Sequence, residues 1–291
     1  MPFAVHTLFP WCFLLFFVTM SAAQESAPKP QAEQPVTTPV AVEPAIIPRS
    51  HQFSLRSRDG TREYRIQVAE PKSGPPKSGY PVVYALDGNA VFGTFAETAR
   101  VQRRGVLIVG IGYPSDAPFD AAREYDFTPL RTTKDDDSDS APKTGGQEEF
   151  LSFIQEVLKP AIEQRFKVNR SRQTLFGHSL GGLFVLHVLY TRPDTFHTYA
   201  AGSPSMWWND QAILAEERAF FEKKGAKADL FLFIGDRDAR HMVHDATRLS
   251  ERLTPLTAYG TRVYFQVFES EDHVSVLPAA ISRAFRLAAD N

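Results

Sequence analysis

The chain has 291 residues, of which 43% are apolar and 23% are charged, and its formal net charge is −2. This composition is ordinary for a soluble globular protein and is sufficient for one large core. The balanced charge gives no reason to expect nucleic acid or a strongly anionic membrane as a partner, so both classes are set aside.

The first 23 residues are typical of an export signal. The apolar run LFPWCFLLFFVTM is followed by the small tripeptide Ser21-Ala22-Ala23. The run is shorter than the ~20 residues that a membrane-spanning helix needs, so we predict a signal peptide over 1–23, a periplasmic or secreted protein, and no stable membrane span in the mature form. An uncleaved anchor stays open as the alternative, because no Lys or Arg precedes the run and Pro10 interrupts it.

The single cysteine, Cys12, lies inside the predicted signal, so we expect neither a disulfide nor thiol chemistry in the mature chain. Residues 24–48 contain six prolines among polar and small residues, which favours an extended linker without a fold of its own. The folded domain is therefore predicted over 49–291.

The domain begins with a predicted hairpin, because HQFSLRS and TREYRIQVA flank the turn signal Arg58-Asp59-Gly60. The runs YPVVYAL and GVLIVGIGY are apolar enough for strands buried on both faces. Residues 114–146 are predicted to be a loop, and the acidic stretch KDDDSDS within it is interpreted as solvated surface because it lacks the spacing of a calcium loop.

Residues 147–166 show the apolar spacing of an amphipathic helix, with a kink expected at Pro160. Strands and helices then alternate in this order: RQTLFGH, LGGLFVLHVLY, HTYAAGS, a helix near 209–224, DLFLFIG, a helix near 241–256, RVYFQVFE and a closing helix near 275–289. This alternation predicts an α/β fold with a doubly wound, mostly parallel sheet behind the antiparallel hairpin.

The motif Gly177-His178-Ser179-Leu180-Gly181 stands between a predicted strand and a predicted helix. A GxSxG sequence in that context forms a sharp turn that exposes the serine hydroxyl, and the N–H of Leu180 can then point at an oxyanion. We therefore predict that Ser179 is a nucleophile.

A serine nucleophile needs a base, and in this chain order the histidine should follow the acid. His273 fits, because it lies between the last predicted strand and the last helix, whereas the other seven histidines occupy less suitable positions. His241 and His244 form an HxxH pair on a predicted helix, but no further ligand cluster accompanies them, so no metal and no cofactor is expected.

The acid should follow the penultimate strand, where Asp236 and Asp238 are both candidates. Asp238 is preferred because it lies farther past the strand end, and the other aspartate is then free to cap the next helix. The second oxyanion donor is expected in LDGNAVF, as the N–H of Gly88 or Asn89, and Asp87 is expected to fix that loop.

Five segments, taken together, resemble the esterase D-like family of α/β-hydrolases: YALDGNAVF, GIGYPSDAPFDAAREYDFTP, GGQEEFLSFIQEVLKPAIEQRF, LFGHSLGGLFVLHVLY and AGSPSMWWND. They resemble in particular its branch of siderophore esterases, which open enterobactin-type trilactones. The resemblance runs from about His51 to the C-terminus. It implies an α/β-hydrolase fold, a Ser179–His273 pair and cleavage of the ester bonds of catecholate siderophores.

The resemblance also implies that Arg123, just before YDFTP, binds the anionic substrate. Because ferric enterobactin carries several negative charges, Arg131 is a second candidate for lining the same cleft. Some members of the branch use a Ser-His dyad, which leaves the need for Asp238 open. Trp207 and Trp208 could stack on an aryl group, or one could be core and the other rim.

Three functional hypotheses follow. The first is a periplasmic esterase of catecholate siderophores, free or iron-loaded, in which Ser179 attacks and His273 transfers the proton. The second is a carboxylesterase of aryl, feruloyl or small acyl esters. The third is a non-catalytic ligand-binding protein that retains the fold.

Overall fold

The computed structural model describes residues 45–132 and 143–290. The strands in this part of the chain are β1 (Ser50–Arg56), β2 (Glu63–Ala69), β3 (Tyr80–Leu86), β4 (Leu107–Gly112), β5 (Val168–His178), β6 (Thr198–Gly202), β7 (Ala228–Gly235) and β8 (Thr261–Phe268). They form one sheet in the order β1-β2-β4-β3-β5-β6-β7-β8. β2 is antiparallel to β1 and β4, and all other neighbours are parallel.

The helices of the described residues are α1 (Gly88–Gln102), α2 (Ala122–Phe127), α3 (Gln147–Phe153), α4 (Lys159–Arg165), α5 (Leu180–Thr191), α6 (Trp208–Gln211), α7 (Ile213–Glu222), α8 (Arg240–Leu253) and α9 (Leu277–Asp290). A 3₁₀ helix, Thr254–Tyr259, follows α8. Buried side chains of α1 and α9 form one apolar cluster with the sheet, and those of α2, α3, α5, α7 and α8 form another. Helices thus cover both sheet faces, and the predicted α/β fold with its antiparallel N-terminal hairpin is confirmed.

The strands β3, β4, β6 and β7 consist mostly of apolar residues because both of their faces are covered. Every residue of β3, β4, β6 and β7 is buried. The outer strand β1 has no buried residue and alternates half-buried and exposed positions over part of its length. The strand-length apolar runs of the sequence therefore correspond to the interior of the sheet.

The loop predicted over 114–146 is wrong for six of its residues, which form α2. This short helix is stabilised by tertiary contacts rather than by its own sequence: Phe127 is buried against Phe150 and Phe184, and Asp126 accepts a hydrogen bond from Tyr113 Oη at 3.0 Å. Such contacts leave no periodic signal in a six-residue segment.

The helix predicted over 147–166 is interrupted just before Pro160. A π-helical turn, Ile154–Leu158, joins α3 to α4, and Pro160 lies in the first turn of α4. Proline has no N–H to donate and its ring crowds the carbonyl four residues earlier, so a wider turn ahead of it relieves the clash. This π-helical turn lies next to the position at which the sequence predicts a kink.

The predicted signal peptide over 1–23, most of the linker over 24–48, and the acidic stretch near 134–140 lie outside the described residues. At the end of the linker, Ile47 is partly buried against the apolar cluster that contains α1. Across the described ranges, no helix combines the length and the apolar character needed to cross a bilayer.

Candidate active site

Three parallel strands bring the predicted site residues to one edge of the sheet. Ser179 directly follows β5, Asp238 lies three residues after β7, and His273 lies five residues after β8. Because β5 to β8 are mutually parallel, their carboxyl ends share an edge, which is where open α/β sheets bind ligands.

Ser179 occupies a strained turn between β5 and α5. Its φ of 60° and ψ of −117° are rare for a residue with a side chain, and its N–H donates to Gly202 O at 2.8 Å. A Cβ on Gly177 would lie 2.3 Å from Gly181 O, so only glycine allows the strand to approach the helix this closely. The turn leaves Ser179 half-buried, with its hydroxyl at the sheet edge.

The Ser179 hydroxyl has a neighbour that the sequence did not indicate. Its Oγ lies 3.3 Å from Oγ of Ser205, a residue that is 1% exposed and whose N–H donates to Ser179 O at 3.1 Å. Among the described residues, no hydrogen bond joins Ser179 Oγ to His273. Contacts between nucleophile and base are commonly long before substrate binds and tighten afterwards.

His273 is held by Asp238. Nδ1 of His273 lies 3.0 Å from each carboxylate oxygen of Asp238, which is 7% exposed and also accepts from the N–H of Ala239 at 2.8 Å. Burial alone would raise the pKa of Asp238, but the hydrogen bond and charge of His273 hold it below its ordinary value. Asp236, the other candidate, is exposed.

The loops that carry Asp238 and His273 are in direct contact. The N–H of Arg237 donates to Glu271 O at 2.9 Å. A Cβ on Gly235 would lie 2.2 Å from the same carbonyl, so the absence of a side chain there lets the two loops pack together. Backbone contacts therefore fix the distance between the carboxylate and the imidazole.

His178 packs against the candidate base. Its ring centroid lies 4.6 Å from that of His273, and its side chain is 3% exposed. Burial, and then the positive charges of His273 and Arg123, lower the pKa of His178 to about 3. A neutral His178 ring can remain beside His273 when the latter becomes charged.

The expected oxyanion donors lie at two helix starts. Leu180 opens α5 and Gly88 opens α1, so their N–H groups belong to the first-turn donors that have no acceptor within the helix. The Asn89 side chain bonds to the N–H of Tyr113 at 2.9 Å and to Ser115 O at 2.8 Å. These bonds fix the start of α1 relative to the end of β4.

Arg123 forms an ion pair with Asp87. Its guanidinium donates to both Asp87 oxygens, at 2.7 and 2.8 Å, and to His178 O at 3.2 Å. The side chains of Arg123 and Asp87 are 11% and 4% exposed. Burial alone would lower the pKa of Arg123, but Asp87 raises it, so the guanidinium stays charged. The pair ties the loop before α1 to the turn that carries Ser179.

The two tryptophans separate into core and rim. Trp208 is 4% exposed and belongs to the apolar core, with the Arg131 guanidinium 4.4 Å from its ring centroid. Trp207 is 45% exposed, two residues after Ser205. Trp207 therefore has an accessible ring, whereas Trp208 and Arg131 contact each other.

The HxxH pair lies at the start of α8. His241 and His244 are both exposed on α8, and His244 faces Asp245. Within the described ranges, no group of three or more His, Cys, Asp or Glu side chains could hold a metal ion.

The sequence did not predict that Ser205 and His178 lie next to the candidate catalytic side chains. Ser205 follows β6, the parallel neighbour of β5, so the strand order could have indicated its proximity. The sequence shows His178 only as the second residue of GHSLG. No local pattern indicates that its ring packs against His273.

The sheet order and the serine, histidine and aspartate at its carboxyl edge define the class of protein, which is an α/β-hydrolase. A family model described as "Putative esterase" matches residues 57–276, and the chain belongs to this family.

Known relatives extend this result. The chain is 44% identical over 260 residues to ferri-bacillibactin esterase BesA of Bacillus subtilis (strain 168), covering 83% of this chain and 90% of the relative. It is 31% identical over 284 residues to the apo-salmochelin esterase of Escherichia coli O6:H1 (strain CFT073), covering 94% and 89%. Among solved structures, the BES protein from Bacillus cereus matches with a TM-score of 0.80 and 39% identity, covering 86% of this chain and 99% of that one. The resemblance seen in the sequence is confirmed.

Proposed function

We propose that the protein is a serine esterase that hydrolyses the ester bonds of catecholate siderophores such as enterobactin, which weakens the chelate and aids iron release. The observation that carries the proposal is the Asp238–His273 pair at the same sheet edge as the Ser179 turn. The relatives support the substrate class, because one is named for ferri-bacillibactin and another for apo-salmochelin.

In the proposed reaction, Ser179 Oγ attacks the ester carbonyl and His273 accepts its proton at Nε2. Asp238 accepts from Nδ1–H and so keeps the imidazole in the tautomer that presents a free Nε2. His273 then gives the proton to the departing alcohol, and a water molecule releases the acyl group from Ser179. The N–H of Leu180 and that of Gly88 or Asn89 stabilise the oxyanion, with about 3 kcal/mol expected from each donor.

The proposed site suits an aromatic substrate. The half-exposed Trp207 offers a ring face to a catechol, and aromatic pairs contribute about 0.5–1.5 kcal/mol beyond the area that they bury. Since the two relatives are named for an iron-loaded and an iron-free siderophore, both forms are candidate substrates here.

The proposal includes export. A signal peptide over 1–23 would deliver the domain to the periplasm or the medium, where it would meet siderophores before they enter the cytoplasm. The mass of the purified native protein tests this, because cleavage after Ala23 yields a chain that begins at Gln24.

The activity is tested by incubating the protein with free and ferric enterobactin and separating the products by chromatography. We expect linear trimers or smaller fragments from the wild type and none from Ser179→Ala. Feruloyl esters serve as the comparison substrate: faster turnover of these than of enterobactin would favour a general aryl esterase. Binding of enterobactin without hydrolysis of any ester would favour the non-catalytic hypothesis.

A further inference from the structure

An open cleft of about 530 Å³ lies beside His273. One wall is the Asp238–His273 pair itself. The remaining lining includes Arg237 and the apolar side chains of Ala239, Met242 and Val274. The cleft is therefore large enough for an aryl group and contains both apolar surface and a cation.

The chemistry at His273 indicates which half of the ester lies beside this residue. In acyl transfer, the histidine that takes the proton from serine gives it to the leaving alcohol, so that oxygen must lie within hydrogen-bonding reach of Nε2. The alcohol half of the substrate consequently lies on the His273 side of the scissile bond. Of the two halves, the alcohol half is therefore the one nearer to the cleft that His273 lines.

The cation available in this cleft is Arg237, since Arg123 is already paired. Arg123 is 11% exposed and donates to both oxygens of Asp87. Arg237 is exposed, and in the described part of the chain its guanidinium makes one hydrogen bond, to Ser270 Oγ at 3.4 Å, and no ion pair. Its backbone is fixed by Glu271 O, so the base of its side chain is held next to Asp238.

Other lining residues suit an aromatic ring. Met242 is 7% exposed and Val274 is 55% exposed, so Met242 offers the cleft a buried apolar surface and Val274 an exposed one. Methionine sulfur packs well against ring edges. The carboxylate of Asp272 also lines the cleft. It accepts hydrogen bonds from the N–H groups of Val274 and Ser275 within its own turn.

We propose that this cleft binds the alcohol half of the ester through an acidic aromatic arm, with Arg237 recognising its negative charge and Met242 and Val274 packing on its ring. This assignment rests on the proposed esterase activity. It transfers the role of anion recognition, which the family resemblance gave to Arg123, to Arg237 on the loop after β7. Arg123 acts instead as a positioning residue for Asp87 and the Ser179 turn.

The test uses two aryl acetates that differ only in the charge of the alcohol half, 4-acetoxybenzoate and its neutral methyl ester, together with enterobactin. For the wild type, we expect kcat/KM to favour the anionic ester. In Arg237→Gln, the ratio of kcat/KM for the anionic over the neutral ester should fall about tenfold, as expected for the loss of a charge-assisted hydrogen bond, and kcat/KM for enterobactin should fall by a similar factor. Arg237→Lys should restore part of the ratio because it keeps the charge.

Arg218→Gln is the matched control, since Arg218 is an exposed arginine on α7 that does not line the cleft. It should leave the ratio unchanged. An unchanged ratio in Arg237→Gln would overturn the assignment, as would equal losses on both acetates, which would indicate damage to the adjacent Asp238. Hydrolysis of the acetates without hydrolysis of enterobactin would refute the siderophore function alone, and no hydrolysis of any ester by the wild type would refute both.

Discussion

Both carboxylate oxygens of Asp238 lie 3.0 Å from Nδ1 of His273, while Asp236, two residues earlier on the same loop, is exposed. The carboxylate thus faces the imidazole nitrogen opposite to the one that would serve Ser179. This relationship allows the candidate acid to be tested against a neighbour of the same type.

Asp238→Asn should lower kcat by up to about 10⁴-fold, because an amide at this position can favour the tautomer in which Nε2 carries the proton. Asp236→Asn should leave kcat at the wild-type level. Steady-state hydrolysis of p-nitrophenyl acetate measures both. Full activity in Asp238→Asn would show that a Ser179–His273 dyad is sufficient.

The Arg123–Asp87 pair should matter strongly for stability. Arg123→Met leaves Asp87 buried without its partner, which should lower the free energy of unfolding by about 3–5 kcal/mol. The control is Arg56→Met, which removes a surface ion pair with Glu63 and should cost about 0–1 kcal/mol. Urea titration compares the two variants. Similar losses in both would mean that the buried pair has no special role.

The close approach at Gly177 predicts unequal effects of two similar substitutions. In Gly177→Ala, the new methyl group would lie 2.3 Å from Gly181 O, so we expect a loss of at least about 1–3 kcal/mol and a displaced Ser179. In Gly181→Ala, the nearest atom is Asp87 Oδ2 at 3.4 Å, and alanine is the better helix former by about 1 kcal/mol. This variant should be as stable as the wild type or more so.

Thermal unfolding and labelling of Ser179 by a fluorophosphonate provide the two measurements. Rapid labelling of Gly177→Ala at the wild-type rate would contradict the assignment of Gly177 to the geometry of the turn.

Asp126 should make stability depend on pH. Burial raises its pKa to about 6, although Tyr113 and Arg62 oppose the shift. A carboxyl group whose pKa is higher in the folded state than in the unfolded state binds its proton more tightly when folded. Asp126 therefore contributes fully to the free energy of unfolding below pH ~4. This contribution, about 3 kcal/mol in total, is lost as pH rises through about 6.

Asp126→Asn removes this titration, so the free energy of unfolding of the variant should fall less than that of the wild type between pH 4 and 7. Chemical denaturation at pH 4, 5, 6 and 7 gives the two curves. Parallel curves would show that Asp126 has similar proton affinity in the folded and unfolded states.

The local elements of this protein were predictable because their signals lie within short windows. The apolar runs of β3 and β4 indicated buried strands, and GHSLG between a strand and a helix indicated the turn at Ser179. The place of His273 followed from chain order. The six residues of α2 were missed because their helix depends on partners distant in sequence, such as Tyr113 and Phe184.

The sequence by itself determined the α/β alternation, the esterase family and the serine and histidine that the proposal uses, since each depends on contiguous patterns. Tertiary structure alone decided two further matters: Arg123 is paired with Asp87 while Arg237 is not, and Trp207 rather than Trp208 is exposed. It also places Asp238, which the sequence favoured over Asp236 without excluding the latter, against His273. The physical reason is the same in each case. Adjacent or similar residues become different only when strands far apart in the chain pack together and give one a partner or a buried environment that the other lacks.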